Sequence, residues 1–159
     1  MLSKLKAYLL GQKLDLGHGK ERQISTRLIG IRNDHKARYD LVKKRIESTK
    51  IYSKILDCAS GIGYGSYMLS KSKYVLNIDA VDKNKEAHSF GAKYYPSKKI
   101  KRLNINLNKL RKENNDSKYD FITCFETLEH LEDIEAKEFL LSLHLLLKSE
   151  GKLFISTPN

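Results

Sequence analysis

The run of residues 55–65, Ile-Leu-Asp-Cys-Ala-Ser-Gly-Ile-Gly-Tyr-Gly, constrains the fold more than any other part of this chain. Ile55 and Leu56 open it as a short apolar strand, Asp57 stands where that strand ends, and Gly61, Gly63 and Gly65 alternate at its far end. Glycines in that arrangement let the backbone bend sharply and leave no Cβ in the way of an approaching ligand. The pattern predicts a strand-to-helix turn whose following amides favour electronegative ligand atoms. It points to an α/β fold with a nucleotide or nucleoside pocket, the alternative being a tight turn that binds nothing.

The identity of the nucleotide narrows by exclusion. A dinucleotide fingerprint needs a third glycine three positions after the second, and Ser66 stands there. A triphosphate cradle needs Gly-Lys-Ser or Gly-Lys-Thr, and neither occurs. An aspartate just ahead of the glycines suits a ligand carrying an ammonium group, as S-adenosylmethionine does. Residues 74–81 read as a second strand, with Asp82 at its end, 21 positions after Gly61. An acid at about that distance is placed to accept both hydroxyls of a ribose, although it could instead cap the next helix. Asp79 competes for the role but would lie deeper in the sheet.

At 159 residues the chain makes one domain, with an N-terminal helix and loop segment at 1–32 and a core at 33–159. Leu2, Leu5, Leu9 and Leu10 have helical spacing in residues 1–10, opposite basic residues. That segment docks on the domain or lies on a membrane surface, docking being preferred. Residues 14–30 are polar and read as a loop. A helix capped by Asn33 or Asp34 runs to about Ser48 with Ala37, Leu41, Val42 and Ile46 inward. After the glycine turn a helix covers Tyr67, Met68 and Leu69. Another spans 84–95, with Ala87, Phe90 and Tyr94 in register and Pro96 ending it. A third strand fits 100–105, a polar loop 109–118 and a fourth strand 119–125. A helix over 133–148 buries Phe139, Leu140, Leu143, Leu146 and Leu147 and is closed by Gly151. His144 on it reads as a surface residue. Residues 152–156 form the fifth strand.

Residues 55–65, Ala80-Val81-Asp82, the Phe-Glu-Thr-Leu-Glu-His of 125–130 and the Gly-Lys-Leu-Phe-Ile-Ser-Thr-Pro-Asn of 151–159 resemble class I S-adenosylmethionine-dependent methyltransferases. The resemblance is closest to the bacterial and phage glycan-biosynthesis branch. There a Gly-x-Glu-Arg and a His-x-x-Arg-Tyr segment precede the core, matched here by residues 19–22 and by His35, Arg38 and Tyr39. It implies a Rossmann-like, mostly parallel sheet of about five strands in the order 3-2-1-4-5, with helices on both faces. Compared with the family, the last two strands and part of the acceptor pocket are missing. S-adenosylmethionine is the implied cofactor. Its implied contacts are Asp57, Ala59, Gly61, Gly63 and Tyr64 around the turn, Asp82 and Lys83 after the second strand, and Phe125 after the fourth. Arg38 and Tyr39 on the helix before the core are candidates to reach the ligand's carboxylate, or else a surface arginine and a packing tyrosine. Asn106 stands where the family usually carries an Asp that accepts from the adenine amino group. An Asn can still accept through its carbonyl oxygen, and Leu107 offers its backbone N–H to the ring.

Glu126, Glu129 and His130 crowd the ligand-binding end of the fourth strand. His130, tuned by Glu129, could take a proton from an attacking hydroxyl. Equally, His130 could pack over the cofactor with the glutamates solvated. Glu-x-x-Glu-His also resembles part of the metal set of the small-RNA 3′-terminal 2′-O-methyltransferases, but that family's further His has no counterpart, so no metal is expected. The expected activity is methyl transfer to a hydroxyl of a glycan, a small molecule or another acceptor. The alternatives are a reduced relative that binds or degrades the cofactor, and an RNA-directed enzyme. Thirty Lys and Arg against 19 Asp and Glu give a formal charge of +11. That charge could serve RNA, anionic glycan or a membrane surface, but the lysines are spread along the sequence and composition is the preferred explanation. Two cysteines without ligand or disulfide spacing, and no apolar run of about 20 residues, indicate the cytoplasm. The fifth strand is an edge through which a homodimer could form.

Overall fold

The structure, a computed structural model, describes residues 13–15, 21–110 and 118–157. Five parallel strands form the main sheet in the order β5-β4-β3-β6-β7. These are β3 (Ser53–Cys58), β4 (Val75–Val81), β5 (Ile100–Leu103), β6 (Tyr119–Phe125) and β7 (Leu147–Ser156). The helices are α1 (Asn33–Thr49), α2 (Tyr64–Ser70), α3 (Lys85–Tyr94) and α4 (Asp133–Leu146). In order of appearance in the sheet, β3 is strand 1, so the sequence-derived order 3-2-1-4-5 holds. The chain winds outward from β3 through β4 to β5, then returns to β6 on the other side of β3. The reversal leaves a crevice at the carboxyl ends of β3 and β6, where such sheets take ligands.

Both faces of the sheet are covered, which is why its strands read as continuous apolar runs. Alternate side chains of one strand point to opposite faces. Ile55 and Phe121 therefore meet Tyr39, Val42 and Ile46 of α1 and Met68 and Leu69 of α2. Leu56 and Ile122 meet Phe139, Leu143 and Leu146 of α4. A smaller cluster joins Ile24 and Ile31 to Ile62, Ala87 and Tyr95. Arg102 fastens the end of α3 by donating to the carbonyls of Gly91 and Tyr95, each at 2.9 Å. No helix among the described residues is long and apolar enough to cross a membrane.

Several expected boundaries and faces need correction. The stretch expected as a loop contains an antiparallel ladder, β1 (Lys13–Asp15) with β2 (Glu21–Gln23). Backbone pairing makes that ladder, and no apolar alternation in the sequence announced it. Neither Asn33 nor Asp34 caps α1. Arg32 is the cap residue, and its guanidinium donates to both Asp34 carboxylate oxygens at 3.0 and 2.8 Å. The inward face of α1 is Tyr39, Val42 and Ile46, while Ala37 and Leu41 are exposed. Tyr95, not Tyr94, is the buried tyrosine after α3. The third strand stops at Leu103. The last helix stops at Leu146, because Leu147 is already extended and begins β7, so Gly151 lies inside a strand. Leu140 is exposed and Leu147 only partly buried. The expected helix at 1–10 and most of the 109–118 loop lie outside the described residues.

Candidate active site

A cavity of about 400 Å³ opens at the carboxyl ends of the strands, within the range of pockets that hold drug-sized ligands. The β3–α2 turn supplies Ala59, Ser60, Gly61, Ile62 and Tyr64, and the end of β4 supplies Asp82 and Lys83. Asn106 and Leu107 follow β5, and Phe125, Glu126, Thr127, His130 and Leu131 follow β6. Helix α1 adds His35 and Tyr39, and α4 adds Glu135 and Phe139.

The turn has the backbone its glycines foretold. Gly61 and Gly63 have φ of 55° and 78°, and Ala59, with φ 52°, shares the left-handed region that costs a non-glycine residue. Glu126, at the end of β6, has φ 51° as well. Two left-handed non-glycine residues on the walls of one cavity fit a site where local strain is tolerated for ligand geometry. The turn is tied across the sheet: Ser60 N–H donates to Val81 at 2.9 Å, and Gly61 N–H donates to Asp82 Oδ2 at 2.8 Å. Asp82 Oδ1 accepts from Asn84 N–H at 2.8 Å, and Asn84 caps α3. Asp82 thus faces the cavity and braces the loop before α3, while the helix cap that the sequence offered it falls to Asn84, whose side chain accepts from Ala87 N–H at 2.9 Å.

Asp57 is placed differently. It is fully buried behind the cavity wall, and its carboxylate accepts from Ser66 Oγ, from Thr123 Oγ1 at 2.7 Å and from Tyr39 Oη at 3.1 Å. Burial raises its pKa and the three hydroxyls oppose that rise. The residue expected to meet an ammonium group is instead a strut joining β3 to α1, α2 and β6. Gly63 also lies off the cavity, beside the Arg102 guanidinium.

Arg38 stands beside the wall, with Nη2 3.3 Å from Glu126 Oε1 and 3.8 Å from Asp34 Oδ2. Ser156 Oγ donates to the same Glu126 oxygen at 2.8 Å. His130 reaches the cavity from an exposed single-turn helix, Leu128–His130. Glu129 is exposed and does not line it. Among the described residues no group of three or more His, Cys, Asp or Glu is arranged to hold a metal ion.

Sequence reasoning left His35, Ser60, Thr127, Glu135 and Phe139 out of the site. His35 lies one helical turn before Tyr39 and shares a hydrogen bond of 2.9 Å between its Nδ1 and Tyr64 Oη. Burial lowers its pKa, with Asp34 acting against that shift. The i, i+4 relation to Tyr39 was the available signal. Ser60 Oγ in the cavity wall and Arg38 Nη1 beside it are buried without a hydrogen-bond partner among the described residues. Buried polar atoms of this kind are rare unless something else satisfies them. Together with a carboxylate at the end of β4 and amide groups after β5, they fit a nucleoside-bearing cofactor.

Comparison with known proteins agrees with this geometry. Residues 22–159 match the family model described as a methyltransferase domain. A ubiquinone biosynthesis O-methyltransferase of Rickettsia typhi is 29% identical over 132 residues, covering 79% of this chain and 51% of the relative. The chain spans about half the length of that curated relative. Among solved structures, the methyltransferase domain of bacterial CtHen1-C superposes with a TM-score of 0.64 at 22% identity, covering 80% of this chain and 67% of that one. A DhpI–SAH complex superposes at 0.60 with 20% identity, covering 77% and 56% respectively. At these identities the structural likeness speaks for the fold.

Proposed function

The chain belongs to the methyltransferase-domain family, and from that premise we propose that it is an S-adenosylmethionine-dependent O-methyltransferase acting on a hydroxyl of a small molecule. The observation that carries the reading is Asp82, which tethers the glycine turn through Gly61 N–H and lines a cavity of about 400 Å³ at the sheet's switch point. An ionised carboxylate offers about four acceptor positions, so Asp82 can hold the turn and still accept from ribose hydroxyls. The Asn106 side-chain carbonyl and the Leu107 N–H are the groups for the adenine edge. Ser60 Oγ and Arg38 Nη1, buried and without hydrogen-bond partners among the described residues, are polar groups that a ligand would satisfy. Arg38 suits the carboxylate of the methionine part. When bound, S-adenosylmethionine would supply an electrophilic methyl group.

Positioning of the acceptor provides much of the acceleration in such a displacement. His130, solvent-exposed at the cavity mouth, would take the proton that the acceptor hydroxyl loses. Phe139, Leu131 and Ile62 line the same cavity and would exclude water from it. The name of the Rickettsia relative supports a small-molecule hydroxyl, and a glycan hydroxyl would call on the same chemistry.

The test is incubation with methyl-labelled S-adenosylmethionine and panels of phenols and glycans. The expected result is label in an acceptor and S-adenosylhomocysteine released in equal amount. Loss of the cofactor without any acceptor, or no turnover with every acceptor despite binding, would overturn the proposal in favour of a cofactor-degrading or cofactor-binding protein.

A further inference from the structure

Lysines that are scattered in the sequence converge in the fold. The segments leading into the five parallel strands, 50–54, 71–75, 96–101, 118–120 and 147–152, all meet at the amino-terminal edge of the sheet. Together they hold ten lysines, no arginine and only two acids, Asp120 and Glu150. The opposite edge carries the cavity. Its segments, 59–63, 82–84, 104–107 and 126–135, hold six acids and one lysine. By formal charge the first set of segments therefore nets +8 and the second −5.

Some of these lysines have local work. Lys148 Nζ pairs with Asp120 at 2.7 Å, Lys118 with Asp79 at 3.3 Å, and Lys99 Nζ donates to the Ser72 carbonyl at 2.7 Å. Lys50, Lys73, Lys98 and Lys101 are exposed and have no carboxylate partner among the described residues. Apolar groups adjoin them. Ile51 and Tyr52 are 62% and 61% exposed, and Leu76 is 49% exposed. The Tyr52 ring lies 5.8 Å from that of Tyr74, over which Lys73 Nζ stands at 5.1 Å. Burial of these residues within the domain does not explain them.

We propose that this basic edge docks the protein onto an anionic lipid bilayer. Lysine is a flexible point charge without arginine's bidentate fork, which suits a diffuse layer of anionic headgroups. Tyrosine, with an apolar ring and a polar tip, is at home in the interface between lipid and water. A surface for single-stranded nucleic acid would present free aromatic faces for stacking along a basic groove, whereas the Tyr52 ring already leans on Tyr74. The six-acid edge is repelled by the same headgroups. Docking thus turns the cavity away from the bilayer.

The experiment is co-sedimentation with vesicles of phosphatidylcholine alone and of phosphatidylcholine mixed with phosphatidylglycerol, with a single-stranded oligonucleotide as a parallel ligand. Each surface lysine is worth about fivefold in affinity for an anionic membrane. The triple variant K73Q/K98Q/K101Q is expected to bind anionic vesicles at least about tenfold more weakly than the unaltered chain. K36Q/K85Q/K137Q, which removes the same charge elsewhere, should lose less than about threefold, since charges beyond a screening length of about 8 Å act weakly. Y52S should also weaken binding, and circular dichroism should show both triple variants folded. Equal losses in the two triples, equal binding to neutral vesicles, or binding to the oligonucleotide but not to anionic vesicles would each overturn the proposal.

Discussion

Replacing Gly65 by alanine is expected to destabilise the fold through a single collision. Gly65 is the second residue of α2 and faces the Tyr39 ring. An added Cβ would lie 2.0 Å from Tyr39 Cζ and 2.3 Å from both Cε atoms, far inside the roughly 3.5–4.0 Å of a carbon contact. The ring has little room to yield. Its hydroxyl donates to Asp57, and its edges meet Tyr64 and Phe125 at centroid distances of 5.7 and 5.0 Å. Overpacking of a core costs about 1–3 kcal/mol, and losing a hydrogen bond to a charged group about 1.5–3 kcal/mol. Against these, alanine in a helix is better than glycine by up to about 1 kcal/mol. The net expectation is a loss of about 2–4 kcal/mol. In a Tyr39→Leu background, which lacks Cζ and both Cε atoms, the same change should cost less than about 1 kcal/mol. Urea denaturation of the four proteins gives the coupling directly. Additive costs, or a Gly65→Ala protein as stable as the parent, would refute the close packing of α1 on α2.

Three further outcomes are expected at the site. Burial raises the pKa of Asp57 above its ordinary value of 3.8, so its ionised form is the one the fold disfavours. Relative to Asp57→Asn, the unaltered protein should lose stability as pH rises from the ordinary carboxylate range through the raised value, and a constant difference across pH in chemical denaturation would contradict this. His35 has the opposite sign: burial lowers its pKa from 6.5, so its contribution is present above about 6.5 and is lost as pH falls through the lowered value. His35→Gln should flatten that acid-side loss, and an unchanged pH–stability profile would show that His35 does not carry it. His130→Ala, in an exposed turn, should leave the melting temperature nearly unchanged and slow methyl transfer by about a hundredfold or more; an unaltered rate would remove His130 as the base.

The fold was legible where local pattern and global arrangement coincide. The glycine turn, the strand ending at Asp82 and the apolar run of β6 each carried their own signal, and the resemblance to class I methyltransferases supplied the strand order. Legibility failed where the signal lies in space. Asp57 was read as facing a ligand because it precedes the glycines, yet Tyr39, Ser66 and Thr123 come from three other elements to enclose it. Nothing in linear spacing encodes that enclosure. The inner face of α1 was misjudged by a fraction of a turn, since Leu41 is more apolar than Tyr39 but only Tyr39 has a hydrogen-bond acceptor waiting in the core. The α4–β7 junction was misplaced because Leu146 and Leu147 continue one apolar run across the change from helix to strand. The basic edge was invisible for the complementary reason: parallel strands gather segments that are far apart in the chain.

The central claim is that the cavity beside Asp82 binds S-adenosylmethionine, and calorimetric titration tests it most directly. The unaltered chain should give a saturable heat with S-adenosylmethionine and with S-adenosylhomocysteine. Asp82→Asn should bind each at least about tenfold more weakly, the loss of a hydrogen-bonded charge being worth about 1.5–3 kcal/mol. No saturable heat from the unaltered chain, or equal affinity in the variant, would contradict the claim.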